Sequence, residues 1–182
     1  MSLHDLVQNH LHSSARIKEA IIDSCSDTIV RAIETMHQQL AEGRKLLICG
    51  NGGSAADAQH MAAEFVIRLS HDLQRPAIPA MALTTDTSIL TAGGNDIGFK
   101  RVFARQVEAF GQKGDILMVI STSGNSENLL LAVQQAKQRQ MVTIGLLGNQ
   151  GGKLDQQLDI SIIVPSNNTQ HIQEGHITIG HI

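Results

Sequence analysis

KLLICGNGGSAADAQHMAAEF, residues 45–65, places an apolar run, a glycine turn and an alanine-rich segment in immediate succession. Lys45–Cys49 reads as a strand buried on both faces, and Ala55–Leu69, free of Gly and Pro, favours a helix. Between them Gly50-Asn51-Gly52-Gly53-Ser54 lets the chain turn sharply. A helix that starts in this way offers unpaired backbone N–H groups and the positive end of its dipole, which together attract an anion. The pattern recurs downstream, where Ile116–Ile120 leads through Ser121-Thr122-Ser123-Gly124-Asn125-Ser126 into a helical segment, Glu127–Gln140.

The remaining segments extend this alternation. Ile78–Leu83, Val142–Leu147 and Ile160–Val164 read as strands, with Pro76 and Pro79 at the entrance of the first, where a missing N–H does least harm. A short helix is predicted from Asp86, an interruption at Gly93-Gly94-Asn95, a resumed helix over Val102–Phe110 and a last helix over Thr169–Ile182. Upstream, apolar residues recur at helical spacing from Leu3 to Leu40, as one long helix or two, until Gly43. The expectation is an α/β fold: one domain, residues 1–182, with a helical segment at 1–42 and a sheet core at 43–182. The core is a doubly wound, five-stranded parallel sheet with helices on both faces and ligands at the carboxyl edge.

Composition narrows the function. The chain has 182 residues, 42% of them hydrophobic, which suits one aliphatic core. With no Trp or Tyr and four Phe, stacking on nucleobases is not expected. A net charge of −3 gives no overall field for nucleic acid or an anionic membrane, so local geometry must hold any phosphate. Met1–His12 lacks an apolar signal core, and no apolar run reaches membrane-spanning length. Cys25 and Cys49 are the only cysteines, which fits a reducing compartment, and the cytoplasm is expected.

The second turn is the more specific of the two. Ser121, Thr122, Ser123 and Ser126 can saturate the oxygens of a phosphate monoester without a lysine, whereas an ordinary helix cap explains only one hydroxyl. The first turn also satisfies the dinucleotide pattern G-x-G-x-x-A, with Asp86 as a distant candidate for a ribose contact. Too little chain follows for a complete dinucleotide fold and a substrate domain, so this reading ranks below a phosphosugar site. His60, Glu64 and Arg68 recur every four residues on one helical face, which allows a shared metal, an acid–base pair or a plain ion pair. Gln173, Glu174, His176 and His181 lie on the last helix, where roughly 12 Å of axis separates Gln173 from His181. Sharing one ion would need both side chains to reach inward, or two subunits.

With these residues in view, the whole chain resembles the sugar isomerase (SIS) domain family, most closely its members acting on seven-carbon sugar phosphates. The resemblance is carried by Cys49–Ser54, Asp57–His60 through Glu64, Ser121–Ser126, Ile172-Gln173-Glu174, His176 and His181. It implies an aldose–ketose isomerase converting sedoheptulose 7-phosphate to D-glycero-D-manno-heptose 7-phosphate through an enediol, toward activated heptose for surface glycans. It implies Glu64 as base and His181 as acid, and a zinc ion in each active site on His60, Glu64, Gln173 and His181. Substrate and phosphate contacts fall on Asn51, Gly52, Gly53, Ser54, Arg68, Asp96, Ser121, Thr122, Ser123, Ser126 and Gln173. The resemblance further implies a homotetramer with active sites at subunit interfaces. His171 departs from the arginine that many relatives carry there. Non-catalytic relatives that bind the replication initiator or sense a sugar phosphate are the alternative, but the former lack counterparts of Glu64 and His181, and the latter usually adjoin a DNA-binding domain.

Overall fold

Alternation along the central strands sorts the interior into two layers. In β1 (Leu46–Gly50), Leu46 and Ile48 join one buried cluster while Leu47 and Cys49 join the other. β3 (Ile116–Ser121) repeats this, with Ile116, Met118 and Ile120 on one side and Leu117 and Val119 on the other. The computed structural model describes residues 1–72 and 74–182. With β2 (Ala80–Ala82), β4 (Val142–Leu147) and β5 (Ile160–Ile163), these strands form a parallel sheet in the order β2-β1-β3-β4-β5.

Helices cover both faces. α1 (Leu3–Ala41), α2 (Gly53–Val66) and α7 (Thr169–Gly180) fill the layer that contains Ile48 and Met118. α4 (Val102–Phe110) and α5 (Glu127–Gln138) fill the opposite layer, joined by Leu154 of the short α6 (Gly152–Asp155). Cys25 and Cys49 belong to opposite layers, so the sheet separates the two thiols. From β1 the chain moves outward to β2, then returns past β1 to begin β3. The strand order therefore reverses between β1 and β3, and the turns leaving those strands diverge around a crevice.

Element boundaries differ from expectation where backbone chemistry intervenes. α1 is one continuous helix, opened by a capping box in which Ser2 and Asp5 satisfy each other's backbone N–H. β2 keeps only three residues, because its proline-flanked approach pairs late at the sheet edge. The break expected at Gly93-Gly94-Asn95 falls later: α3 (Thr87–Gly93) runs into a π-turn over Gly94–Gly98, and the chain bends at Gly98, whose φ of 82° is left-handed. The last helix stops at Gly180, leaving His181 as its C-cap.

The start of α1 stands apart from this packing. Leu3, Leu6, Val7 and Leu11 are all exposed, and Ile21 is the first large aliphatic side chain of the helix to be buried. Among the described residues, no helix is long and apolar enough to cross a membrane.

Candidate active site

Both glycine-bearing turns lie at the carboxyl edge of the sheet, and a pair of amides joins them. Asn51 Nδ2 donates to Asn128 Oδ1 at 3.0 Å, and Asn128 Nδ2 donates to Asn51 Oδ1 at 2.8 Å. This exchange fixes the first turn against the start of α5. Gly52, with a φ of 57°, is the N-cap of α2, and no side chain caps that N-terminus. Ser54 is buried at the first turn of the helix, while Gly52 and Gly53 face solvent.

In the second turn the hydroxyls divide into two kinds. Ser121 Oγ accepts the Gly124 N–H at 3.1 Å and Ser123 Oγ accepts the Asn125 N–H at 3.3 Å, so these two shape the loop and keep their own protons to donate. Ser126 occupies the N-cap of α5, yet its side chain makes no capping bond. Thr122 contributes its carbonyl to Asn149 Nδ2 at 2.8 Å. Gly124 is required for steric reasons: its φ is 64°, and a Cβ there would lie 1.9 Å from the Gly151 carbonyl oxygen. Asn51 and Gly52, with Asn128, Glu127, Phe99 and Lys100, also line a cleft of about 470 Å³. Lys100, which pairs with Glu127 at 3.4 Å, brings a cation to that cleft and was not singled out from the sequence.

The acid and base candidates come together at the far end of α2. His60 Nε2 lies 2.8 Å from Glu64 Oε1, and His181 Nε2 lies 3.5 Å from the same oxygen. The two imidazole rings are 5.3 Å apart. The Glu64 side chain is only 18% exposed, against 51% for His60 and 43% for His181, so the carboxylate sits beneath two accessible imidazoles. Helical spacing brings His60 to Glu64, but only packing of α7 on α2 brings His181. The helices run side by side in the same direction, since Gln173 meets Gly53, Gly180 meets Met61 and His181 meets Glu64.

That direction determines where Gln173 goes. A Cβ on Gly53 would lie 2.6 Å from Gln173 Nε2, so this amide sits over the start of α2, and it makes no hydrogen bond to His60, Glu64 or His181. The ligand atoms of those three residues all lie within 4.8 Å of one another. Two imidazoles and a carboxylate are the donors zinc selects, and three protein ligands leave a fourth position for water or substrate. Asp57, one turn before His60, has a buried carboxylate oxygen with no hydrogen-bond partner. Burial pushes its pKa up while the nearby His60 pulls it down. Its place on the His60 and Glu64 face was readable from the sequence as i, i+3, i+7 spacing.

Other candidates lie farther out. Arg68 falls beyond the end of α2 at Val66, so it does not continue the helical stripe of His60 and Glu64, and its Nη2 lies 3.0 Å from His71 Nδ1. Arg75, not anticipated from the sequence, holds the end of α2 instead, donating to the Glu64 carbonyl at 2.6 Å and the Phe65 carbonyl at 2.8 Å. Asp96 lies exposed in the π-turn and accepts from Asn95 Nδ2 at 2.7 Å. Asp86, the possible ribose contact, instead caps α3 by accepting the Ile89 N–H at 2.9 Å. The dinucleotide reading thereby loses its acidic partner.

Comparison with known proteins shows the family. The SIS domain family model matches residues 9–148. A phosphoheptose isomerase of Chlorobaculum tepidum is 49% identical over 98% of this chain and 86% of its own length. One from Clostridium acetobutylicum is also 49% identical, over 98% of this chain and 91% of its own. The solved phosphoheptose isomerase of Neisseria gonorrhoeae superposes with a TM-score of 0.93 at 46% identity, covering 99% of this chain and 95% of that one. That of Francisella tularensis gives 0.95 at 40% identity, covering 100% and 95%. The chain belongs to the SIS domain family and, within it, to the phosphoheptose isomerases.

Proposed function

We propose that this isomerase converts sedoheptulose 7-phosphate to D-glycero-D-manno-heptose 7-phosphate, with Glu64 as the base and His181 as the acid. The observation that carries the assignment is the approach of His181 Nε2 to within 3.5 Å of Glu64 Oε1 from a separate helix. Glu64 takes the proton from the carbon beside the carbonyl, and His181 gives one to the carbonyl oxygen, producing an enediol. Returning a proton to the former carbonyl carbon and withdrawing one from the hydroxyl of the carbon first deprotonated moves the carbonyl across, with no net gain or loss of protons. The half-buried carboxylate and accessible imidazoles suit a reaction in which substrate covers the site as it binds.

Ser121, Thr122, Ser123 and Ser126, with the helix starts beside Asn51, Gly52, Gly53 and Ser54, would hold the phosphate. The free hydroxyl of Ser126 supports this, since it does no work for its own helix. Arg68, Asp96 and Gln173 complete the proposed substrate contacts. Zinc would be held by His60, Glu64 and His181; Gln173, the fourth proposed ligand, lies over Gly53 in its own chain and would reach the ion from a neighbouring copy. When bound, it would stabilise negative charge developing on the substrate oxygens.

The helical run from Gly53 to Glu64 is roughly 16 Å long. That span supports a homotetramer in which phosphate held at one copy's turns meets the Glu64–His181 pair of a neighbour. The exposed Leu3, Leu6, Val7 and Leu11 offer an apolar face for such assembly. The cytoplasm is the proposed compartment, supported by two buried free thiols. The deciding test is turnover of sedoheptulose 7-phosphate and of shorter phosphosugars, followed by NMR. Faster conversion of a shorter sugar would overturn the substrate assignment.

A further inference from the structure

Toward the start of α7, at the opposite end from His181, a second group of metal-type donors joins α7 to α1. His10 comes from the exposed start of α1, and His171 and Glu174 from consecutive turns of α7. His10 Nε2 lies 3.3 Å from Glu174 Oε1, and His171 Nδ1 lies 3.5 Å from Glu174 Oε2. The His10 and His171 rings are 4.8 Å apart, and the three ligand atoms lie within 4.8 Å of one another. Ser14, one helical turn beyond His10, donates its hydroxyl to Glu174 Oε2.

We propose that His10, His171 and Glu174 form a second zinc-type site, separate from the catalytic group, that clamps the start of α1 to α7. Three observations carry it. The first is the buried imidazole: the His171 side chain is 9% exposed, and its buried Nδ1 stands 3.5 Å from Glu174 Oε2 without a well-formed hydrogen bond. A buried polar nitrogen without a partner marks a place where another group belongs. The second is spacing. In a tetrahedral site with bonds of about 2.0–2.1 Å, neighbouring ligand atoms sit roughly 3.3 Å apart. His10 and His171 stand at 3.3 and 3.5 Å from the two oxygens of Glu174, and one ligand atom from each of the three residues lies within 4.8 Å of the others, a spacing that a small inward shift would close around one ion. The third is orientation: the Ser14 hydroxyl fixes the carboxylate as an outer-shell donor does around a bound metal.

Two imidazole nitrogens with one carboxylate select a borderline cation such as Zn²⁺ over Mg²⁺ or Ca²⁺, which prefer oxygen donors. The mechanical consequence follows from the fold. The first turns of α1 bury no large aliphatic side chain, so a metal bond at His10 would anchor a segment that is otherwise lightly held. The anchored partner, α7, also carries Gln173 and His181.

The test is equilibrium dialysis of the full chain against micromolar Zn²⁺, with metal counted per chain. The proposal expects His10→Ala to lower the count by about one ion and His60→Ala to leave this second ion in place. The His10→Ala/His60→Ala double variant should bind none. His10 lies on the surface at 43% side-chain exposure, so its replacement leaves the core intact. Ser14→Ala should weaken the second ion by about tenfold to a hundredfold. In the His60→Ala background, Zn²⁺ should raise Tm, and adding His10→Ala should abolish that rise. An unchanged count in His10→Ala overturns the proposal. If His60→Ala changes nothing while His10→Ala takes the count from one to zero, this site stands and zinc at the catalytic group fails.

Discussion

The two ends of the α2–α7 seam are built in opposite ways. At the start of α2, the turns are held by backbone and amide bonds: Asn51 with Asn128, Ser121 with Gly124, and Gly124 pressed against Gly151. At the other end, His60, Glu64 and His181 meet through side chains alone, and both imidazoles are open to solvent. The contrast separates binding from chemistry. Phosphate has a fixed shape and rewards a preformed cradle, whereas proton transfer needs groups that can exchange protons with a substrate as it arrives.

The sharpest test of that division is Glu64→Gln. It should lower kcat by about 10²- to 10⁴-fold while changing KM little, because the amide keeps the shape and loses the base. A large rise in KM with kcat preserved would show that Glu64 belongs to binding, and the contrast would fail.

A second prediction concerns how firmly α7 is docked. His176 is fully buried, donates from Nε2 to the Leu147 carbonyl at 2.9 Å, and is pushed by burial from 6.5 down to about 4. Above pH 6.5 the ring is neutral whether folded or unfolded and adds no pH dependence. As pH falls from 6.5 toward 4, the unfolded chain takes up the proton and the folded one does not, so stability drops by about 3 kcal/mol. Denaturant titrations of wild type and His176→Gln across this range should show the difference in slope.

Gly124→Ala tests the rigid end. The new Cβ meets a backbone carbonyl and the backbone is left-handed, so a loss of about 2–3 kcal/mol of stability is expected by thermal melting, together with a higher KM. The mildest change is Ser126→Ala. Its hydroxyl makes no capping bond, so Tm should hold while KM rises about tenfold, the lower end of the value of one hydrogen bond to a charged group. A fall in Tm with KM unchanged would return Ser126 to a structural role.

Much of the fold was legible in the sequence because strands buried on both faces and helices with one apolar stripe leave different periodicities. Leu46–Gly50 and Ile116–Ser121 are continuous apolar runs for that reason. Boundaries set by caps were less legible, as at Gly98, where a positive φ ends the helical run later than the glycine pair at Gly93 suggested. In the site, the His60 and Glu64 pair could be read from spacing, and Asp57 could have been read with them. Lys100 and Arg75 could not, since each reaches its partner only through the packing of a loop or an irregular turn.

The sequence by itself determined the strand–turn–helix units and the hydroxyls they carry, because turn chemistry and periodicity act over a few neighbouring residues. Only the tertiary structure decided that His181 meets Glu64, that Gln173 lies over Gly53, and that His10 reaches His171 and Glu174. Those meetings depend on the direction and depth at which α7 packs against α1 and α2. Packing of that kind is settled by the shape of a whole buried layer, and no local stretch of residues encodes it.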